Sequence, residues 1–173
     1  MRNSMRVCWV PRVAGKTDLI PNKTNRMWVE PREAGTYLGQ CAEYCGTQHP
    51  LLLLRIVAEP PDQFARWVEQ QRQAAAAAPA DSVAAAGRRV FLGTVCTSCH
   101  TVAGTDARAR YGPDLTHLMS RATIAAGAAP NTRESLLAWV RNPDNLKHGV
   151  LMPAMQIDEK YLHQLVEYLL TLR

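Results

Sequence analysis

The chain has 173 residues, 47% of them hydrophobic and 20% charged, and a formal net charge of +5. That is ordinary globular material for one or two domains, neither disordered nor membrane-spanning by composition. Residues 1–80 hold ten Lys/Arg against seven Asp/Glu, and residues 81–173 ten against eight, so no basic cluster marks a nucleic-acid surface.

The start, MRNSMRVCWVPRV, is basic but lacks the apolar stretch and small-residue cleavage site of an export signal. The longest apolar runs, LLLL at 51–54 and the alanines at 74–78, fall far short of the ~20 residues that cross a bilayer. The sequence as given therefore predicts neither leader nor anchor. Across 5–58, short apolar runs (RVCWV, RMWVE, GTYLGQC, LLLRIVAE) alternate with Gly, Pro and Asn, the pattern of an antiparallel sheet. PPDQFARWVEQQRQ follows as a helix opened by proline.

The Ala/Pro-rich stretch 74–86 reads as a linker, dividing the chain into 1–73, 74–86 and 87–173. Beyond it the pattern turns helical. VAAAGRRVFLGTVC leads into the second cysteine pair, a short helix is expected at DLTHLMSR, and TRESLLAWVRN is capped by Thr132 and stopped before Pro143. The last helix opens at Asp158 with Leu162, Leu165, Val166, Leu169 and Leu170 along one face. The expected fold class is α+β and multidomain: a partial antiparallel β-sandwich followed by an all-α domain.

Five cysteines form two close pairs, Cys41/Cys45 and Cys96/Cys99, with Cys8 left over. An odd count at such spacing argues for cofactor chemistry over a disulfide framework. Cys96-Thr-Ser-Cys99-His100 is the C-x-x-C-H pattern of covalent haem attachment. Two thiols one helical turn apart each reach a haem vinyl group, and the adjacent imidazole reaches the iron from the same side. Zinc would need further cysteines or paired histidines, and a thioredoxin-like motif would need a βαβ setting.

The far side of the iron usually takes Met or His, and His117, Met119, His148, Met152, Met155 and His163 are candidates. Met152, in the GVLMPAMQ loop before the last helix, is favoured over Met119, which sits in an apolar helical pattern. Met155 competes with it, His148 less so, and a loop methionine also serves as simple gap-filler. In the first half, QCAEYCGTQH (40–49) gathers two thiols and an imidazole into what reads as a metal loop.

GRRVFLGTVCTSCH, YGPDL (111–115) and Met152-Pro153 resemble a class I cytochrome c over about 87–173. The resemblance implies covalent haem c, with His100 proximal, Met152 distal and Pro113 beside the proximal ring. It also implies a first and last helix packed across each other through Val90, Phe91, Leu165 and Leu169. WVPRVAGKTDLIPNKTN (9–25), GTYLGQCAEYCGTQH (35–49) and RIVAE (55–59) resemble the cupredoxin-like copper domain of cytochrome c oxidase subunit II. Together the two resemble the soluble part of the fused, caa3-type subunit.

In that family two copper ions share two thiolates, here Cys41 and Cys45. His49 and the main-chain carbonyl of Glu43 fall on two further ligand positions. Two positions depart. Arg6 stands where the family has its first His, and Leu52 where it has Met. A missing thioether mainly shifts potential, but a guanidinium stays protonated and has no lone pair to give. Cys8, on the same strand face as Arg6, is either a substitute thiolate or a buried inert cysteine. The loop is thus a binuclear copper centre, a single-copper site, or a thiol pair that oxidises to a disulfide. The family's earlier strands and membrane helices have no counterpart here, so the sheet is expected to keep an unpaired edge.

The resemblance implies electron transfer. The chain would take electrons from a donor such as a quinol-oxidising complex or a small cytochrome c and deliver them towards the oxygen-reducing catalytic subunit I. That places it on the periplasmic or outer face of the cytoplasmic membrane, touching the membrane only through helices absent here or through partner subunits. No nucleophile–base pair or phosphate loop suggests an independent catalytic site. The alternatives are a stand-alone haem c carrier with a non-conducting docking domain, and copper delivery through Cys41, Cys45 and His49.

Overall fold

A computed structural model describes residues 6–76 and 82–173, with the side chain of Arg6 left aside. Residues 77–81, in the expected linker, lie outside the described residues. The first half is a four-stranded antiparallel sheet in the order β2-β1-β3-β4, made of β1 (Arg6–Trp9), β2 (Lys16–Leu19), β3 (Gly35–Cys41) and β4 (Leu53–Ala58). Strand alternation explains β3: Tyr37, Gly39 and Cys41 are buried while their neighbours are exposed. The buried side carries a small core of Val10, Val13 and Tyr37, joined by Cys8, Leu54 and Ile56. Leu38 and Val57 stand exposed on the other side.

Among the described residues no second sheet faces this one, so the partial sandwich is one layer. RMWVE is not a strand. Its Glu30 amide bonds the Val13 carbonyl 2.9 Å away, and Trp28 is 94% exposed. The segment has strand composition but no ladder to join.

The second half is built from α2 (Val83–Gly93), α3 (Cys96–Cys99), α4 (Arg133–Arg141), α5 (Pro143–Leu146) and α6 (Glu159–Leu169). The caps follow the sequence. Ser82 accepts from the Ala85 amide, Thr132 from Ser135, Asn142 from Asp144 and Asp158 from Lys160. Phe91 of α2 meets Tyr168 of α6, ring centroids 5.6 Å apart. Leu162, Leu165, Leu169, Leu136 and Val140 complete a buried core, each such side chain contributing about 1.5–3 kcal/mol. Val90 packs against that core, partly buried.

Two details differ from the expectation of an all-α second half. Thr123–Ile124 and Ala129–Pro130 form a two-residue ladder. DLTHLMSR holds only a short 3-10 turn at Leu118–Ser120. There the Asp114 carboxylate accepts from the Thr116 amide at 2.8 Å and the Thr116 hydroxyl at 2.6 Å, a local alternative that outcompetes a helix start.

Contacts tie the halves together, among them Gly127 against Leu53 and Arg55 of β4. After α1 (Pro61–Gln71) the chain docks on the helical half: the Ala75 amide donates to Ala103. The buried His117 ring spans the Gln73 carbonyl (3.0 Å) and the Arg173 carbonyl (2.9 Å). Elsewhere Gly149, at φ 78°, brings its backbone against Thr47. A Cβ there would sit 3.2 Å from Thr47 Cγ2, and only glycine adopts that φ without cost.

Lys147 lies near this contact, 5% exposed, its Nζ donating to the Ala125 carbonyl at 3.1 Å. Burial lowers its pKa below the usual 10.5. Below both the folded and unfolded pKa the folded state carries a desolvated charge. Between them the unfolded state binds more protons, so stability rises with pH. The Tm of Lys147→Met minus that of the parent should therefore fall as pH climbs towards 10.5. A flat difference across thermal melts would contradict this assignment.

Candidate metal centres

In the helical half, Val95 leads into the single turn Cys96–Cys99, and His100 leaves it in extended conformation. The turn sets both thiols on one side. Cys96 receives the Thr94 hydroxyl at 3.3 Å, and burial pushes its thiol pKa up. His100 Nδ1 lies 2.7 Å from the Pro113 carbonyl. That carbonyl only accepts, so Nδ1 carries the proton, and in the neutral ring Nε2 is the nitrogen with the free lone pair. The Gly112 amide donates to Cys99, 2.6 Å away, and a Cβ on Gly112 would fall 2.6 Å from His100 Cε1. The ring is thus wedged against backbone that admits no side chain.

Met152 is half-buried in its loop. Met155 and Met119 pack against the helical core, and His117 is held between two carbonyls. His148 pairs with Asp144 at 2.9 Å, and His163 lies beside Glu159 and Arg133. Val95, Tyr111 and Leu151 are exposed, each on a segment bearing the motif, its backing or Met152. The donor set, with exposed apolar side chains on the segments that carry it, fits a flat, hydrophobic porphyrin with two thioether anchors and one fixed imidazole.

In the sheet, Cys41 closes β3, Cys45 lies in the following turn, and His49 opens a 3-10 turn at His49–Leu51. The Sγ atoms of Cys41 and Cys45 are 3.7 Å apart, and the donor atoms of all three residues lie within 4.8 Å of one another. His49 Nδ1 is buried with no hydrogen-bond partner, a cost usually met by a ligand or water. Burial raises the Cys41 pKa, but hydrogen bonds from the backbone of Glu43 and Val7 and from His49 and Cys45 outweigh it, bringing it to about 7. The Glu43 carbonyl oxygen is 3.2 Å from Cys41 Sγ. Cys8 stands opposite Cys41 in register but packs into the Val10, Val13, Tyr37 core.

Two coppers sharing both thiolates would each call for a terminal donor. Among the described residues the loop offers one imidazole, and position 52 is Leu, without a lone pair. The donor set serves one ion fully, and a second would have the Glu43 carbonyl as its only other terminal donor.

The cytochrome c family model matches residues 84–173. The chain belongs to the cytochrome c family. Its first part, residues 3–59, matches the periplasmic domain of cytochrome C oxidase subunit II, a domain that carries a copper site in that family. The chain is 40% identical to cytochrome c oxidase subunit 2 of Alkalihalophilus pseudofirmus, covering 95% of this chain and 47% of the relative. Identity is 31% to that of Bacillus sp. strain PS3 (95% and 49%) and 30% to that of Bacillus subtilis (93% and 48%). The chain spans about half the length of these curated relatives. Covalent haem c belongs to this cytochrome c domain, as the C-x-x-C-H turn implies.

The Thr47–Gly149 contact, the His117 clasp and the Cys8–Cys41 pairing were not legible in the sequence. Each joins residues far apart in the chain without a local signature.

Proposed function

We propose that this chain is the electron-transfer part of a terminal oxidase's subunit II. It would accept electrons from a quinol-oxidising complex or a small cytochrome c and hand them towards the oxygen-reducing catalytic subunit on the outer face of the membrane. The reading rests on one observation. The C-x-x-C-H turn, with its imidazole tautomer fixed by Pro113, sits on the same chain as a domain matching oxidase subunit II. We place the functional units at 1–73 and 87–173, joined through 74–86, the last residues of which, Val83–Ala86, open α2.

We assign Cys96 and Cys99 to the thioethers, His100 Nε2 to the proximal position and Met152 Sδ to the distal one. Bound haem supplies a one-electron iron couple. The protein's work is positional. Pro113 and Gly112 keep the imidazole from turning, and Met155 holds the Met152 loop to the core. The Thr47–Gly149 contact keeps the Met152 loop beside the Cys41–His49 loop. Cys41, Cys45 and His49, with the Glu43 carbonyl, form the second centre.

To test the reading, the chain is prepared with its haem, reduced and mixed aerobically with an oxidase core lacking this domain. Rapid reoxidation that depends on the core is expected. Equal reoxidation rates with and without the core would contradict the role. The second reading, a stand-alone carrier with a non-conducting docking domain, is favoured by the single imidazole at the sheet site, and the same equal rates would support it.

A further inference from the structure

We infer that the Cys41–Cys45–His49 loop is a single-ion site for one soft d10 cation, copper(I) or zinc(II), and not a two-copper centre. The inference stands on the loop's donors and does not depend on the oxidase reading. Two thiolates and an imidazole are the donors that soft, closed-shell cations prefer, whereas magnesium, calcium and manganese favour oxygen. An ion about 2.3 Å from each sulfur in tetrahedral geometry spans an S···S edge of about 3.8 Å. The observed separation is 3.7 Å, so the thiols need no rearrangement. His49 supplies the imidazole: one ring nitrogen lies within 4.8 Å of both sulfurs, and its Nδ1 is buried without a hydrogen-bond partner.

Charge argues the same way. Two thiolates balance one divalent ion, or leave a single negative charge with copper(I). A second cation would add positive charge to a depression already lined by Lys16, along with Trp9, Gln40 and Ala42. Its volume is about 380 Å³, open enough to admit an ion and to leave a fourth position for water or the Glu43 carbonyl. Binding releases the thiol protons to solvent and changes no oxidation state. Cys8 takes no part, because its side chain belongs to the Val10, Val13, Tyr37 core.

The test uses the whole haem-loaded chain, titrated anaerobically with zinc(II) or with copper(I), metal per chain being measured by elemental analysis after desalting. One equivalent of either ion is expected, with cobalt(II) giving the intense sulfur-to-metal absorption and visible bands of a four-coordinate thiolate site. His49→Ala and Cys45→Ser should lose that equivalent, while Cys8→Ser keeps it. Thermal melts of the variants report whether the sheet still folds. Should a variant unfold, the cobalt spectrum of the parent alone decides, since a thiolate-free or six-coordinate spectrum overturns the assignment. Two retained coppers per chain would also overturn it, as would an electron-spin spectrum shared equally between two copper nuclei. Preference between zinc and copper(I) follows from competition of one against the other.

Discussion

Met152→Ala is expected to leave the haem covalently attached while opening one axial position of its iron. Carbon monoxide should then bind the reduced variant rapidly, whereas the parent should resist it. The midpoint potential should fall, since a thioether ligand raises it, by about 59 mV for each tenfold loss of preference for ferrous over ferric iron. Met155 packs against the buried helices, so Met155→Ala should lower stability by ~2–5 kcal/mol at most and leave the visible spectrum intact. Redox titration and carbon monoxide binding of the two variants separate the roles. If Met155→Ala opens the iron and Met152→Ala does not, the distal assignment is wrong.

Gly87→Ala should be the most damaging small substitution in the helical half. Gly87 lies where α2 crosses α6, and a Cβ there would fall 1.8 Å from the Gln164 carbonyl oxygen and 2.9 Å from Tyr168 Cβ. Backbone on a helix cannot yield as a side chain tip can, so the helices must separate or shift. Overpacking of this kind costs typically 1–3 kcal/mol, occasionally more, and the contact at Gly87 belongs at the upper end. For a domain of this size ~3 kcal/mol is roughly 12–24 °C in Tm. The check is a thermal melt of the haem-loaded variant followed by circular dichroism, and a Tm within a few degrees of the parent would contradict the close packing.

The sequence spoke clearly where physics is local. C-x-x-C-H, the caps at Thr132 and Asp158, and the apolar face of α6 are each written within a few residues. DLTHLMSR misled because Asp114 has a side-chain alternative to helix that pattern counting ignores. RMWVE misled because strand propensity means little without a ladder to join. At the sheet site the residue types were legible, but the 3.7 Å sulfur separation and the orphaned His49 nitrogen arise from how β3 and the 3-10 turn meet. Nothing local could announce the Thr47–Gly149 contact, which brings the two loops with metal-binding character side by side.

The most direct test of the account is the haemochrome spectrum of the reduced chain, purified after expression with a haem-attachment system and dissolved in alkaline pyridine. The account predicts one haem per chain, its α-band shifted to shorter wavelength because both vinyl groups are saturated by Cys96 and Cys99. It also predicts that the colour stays with the polypeptide through acid–acetone extraction. Colourless protein, or haem that extracts freely with the band of intact vinyl groups, would contradict it.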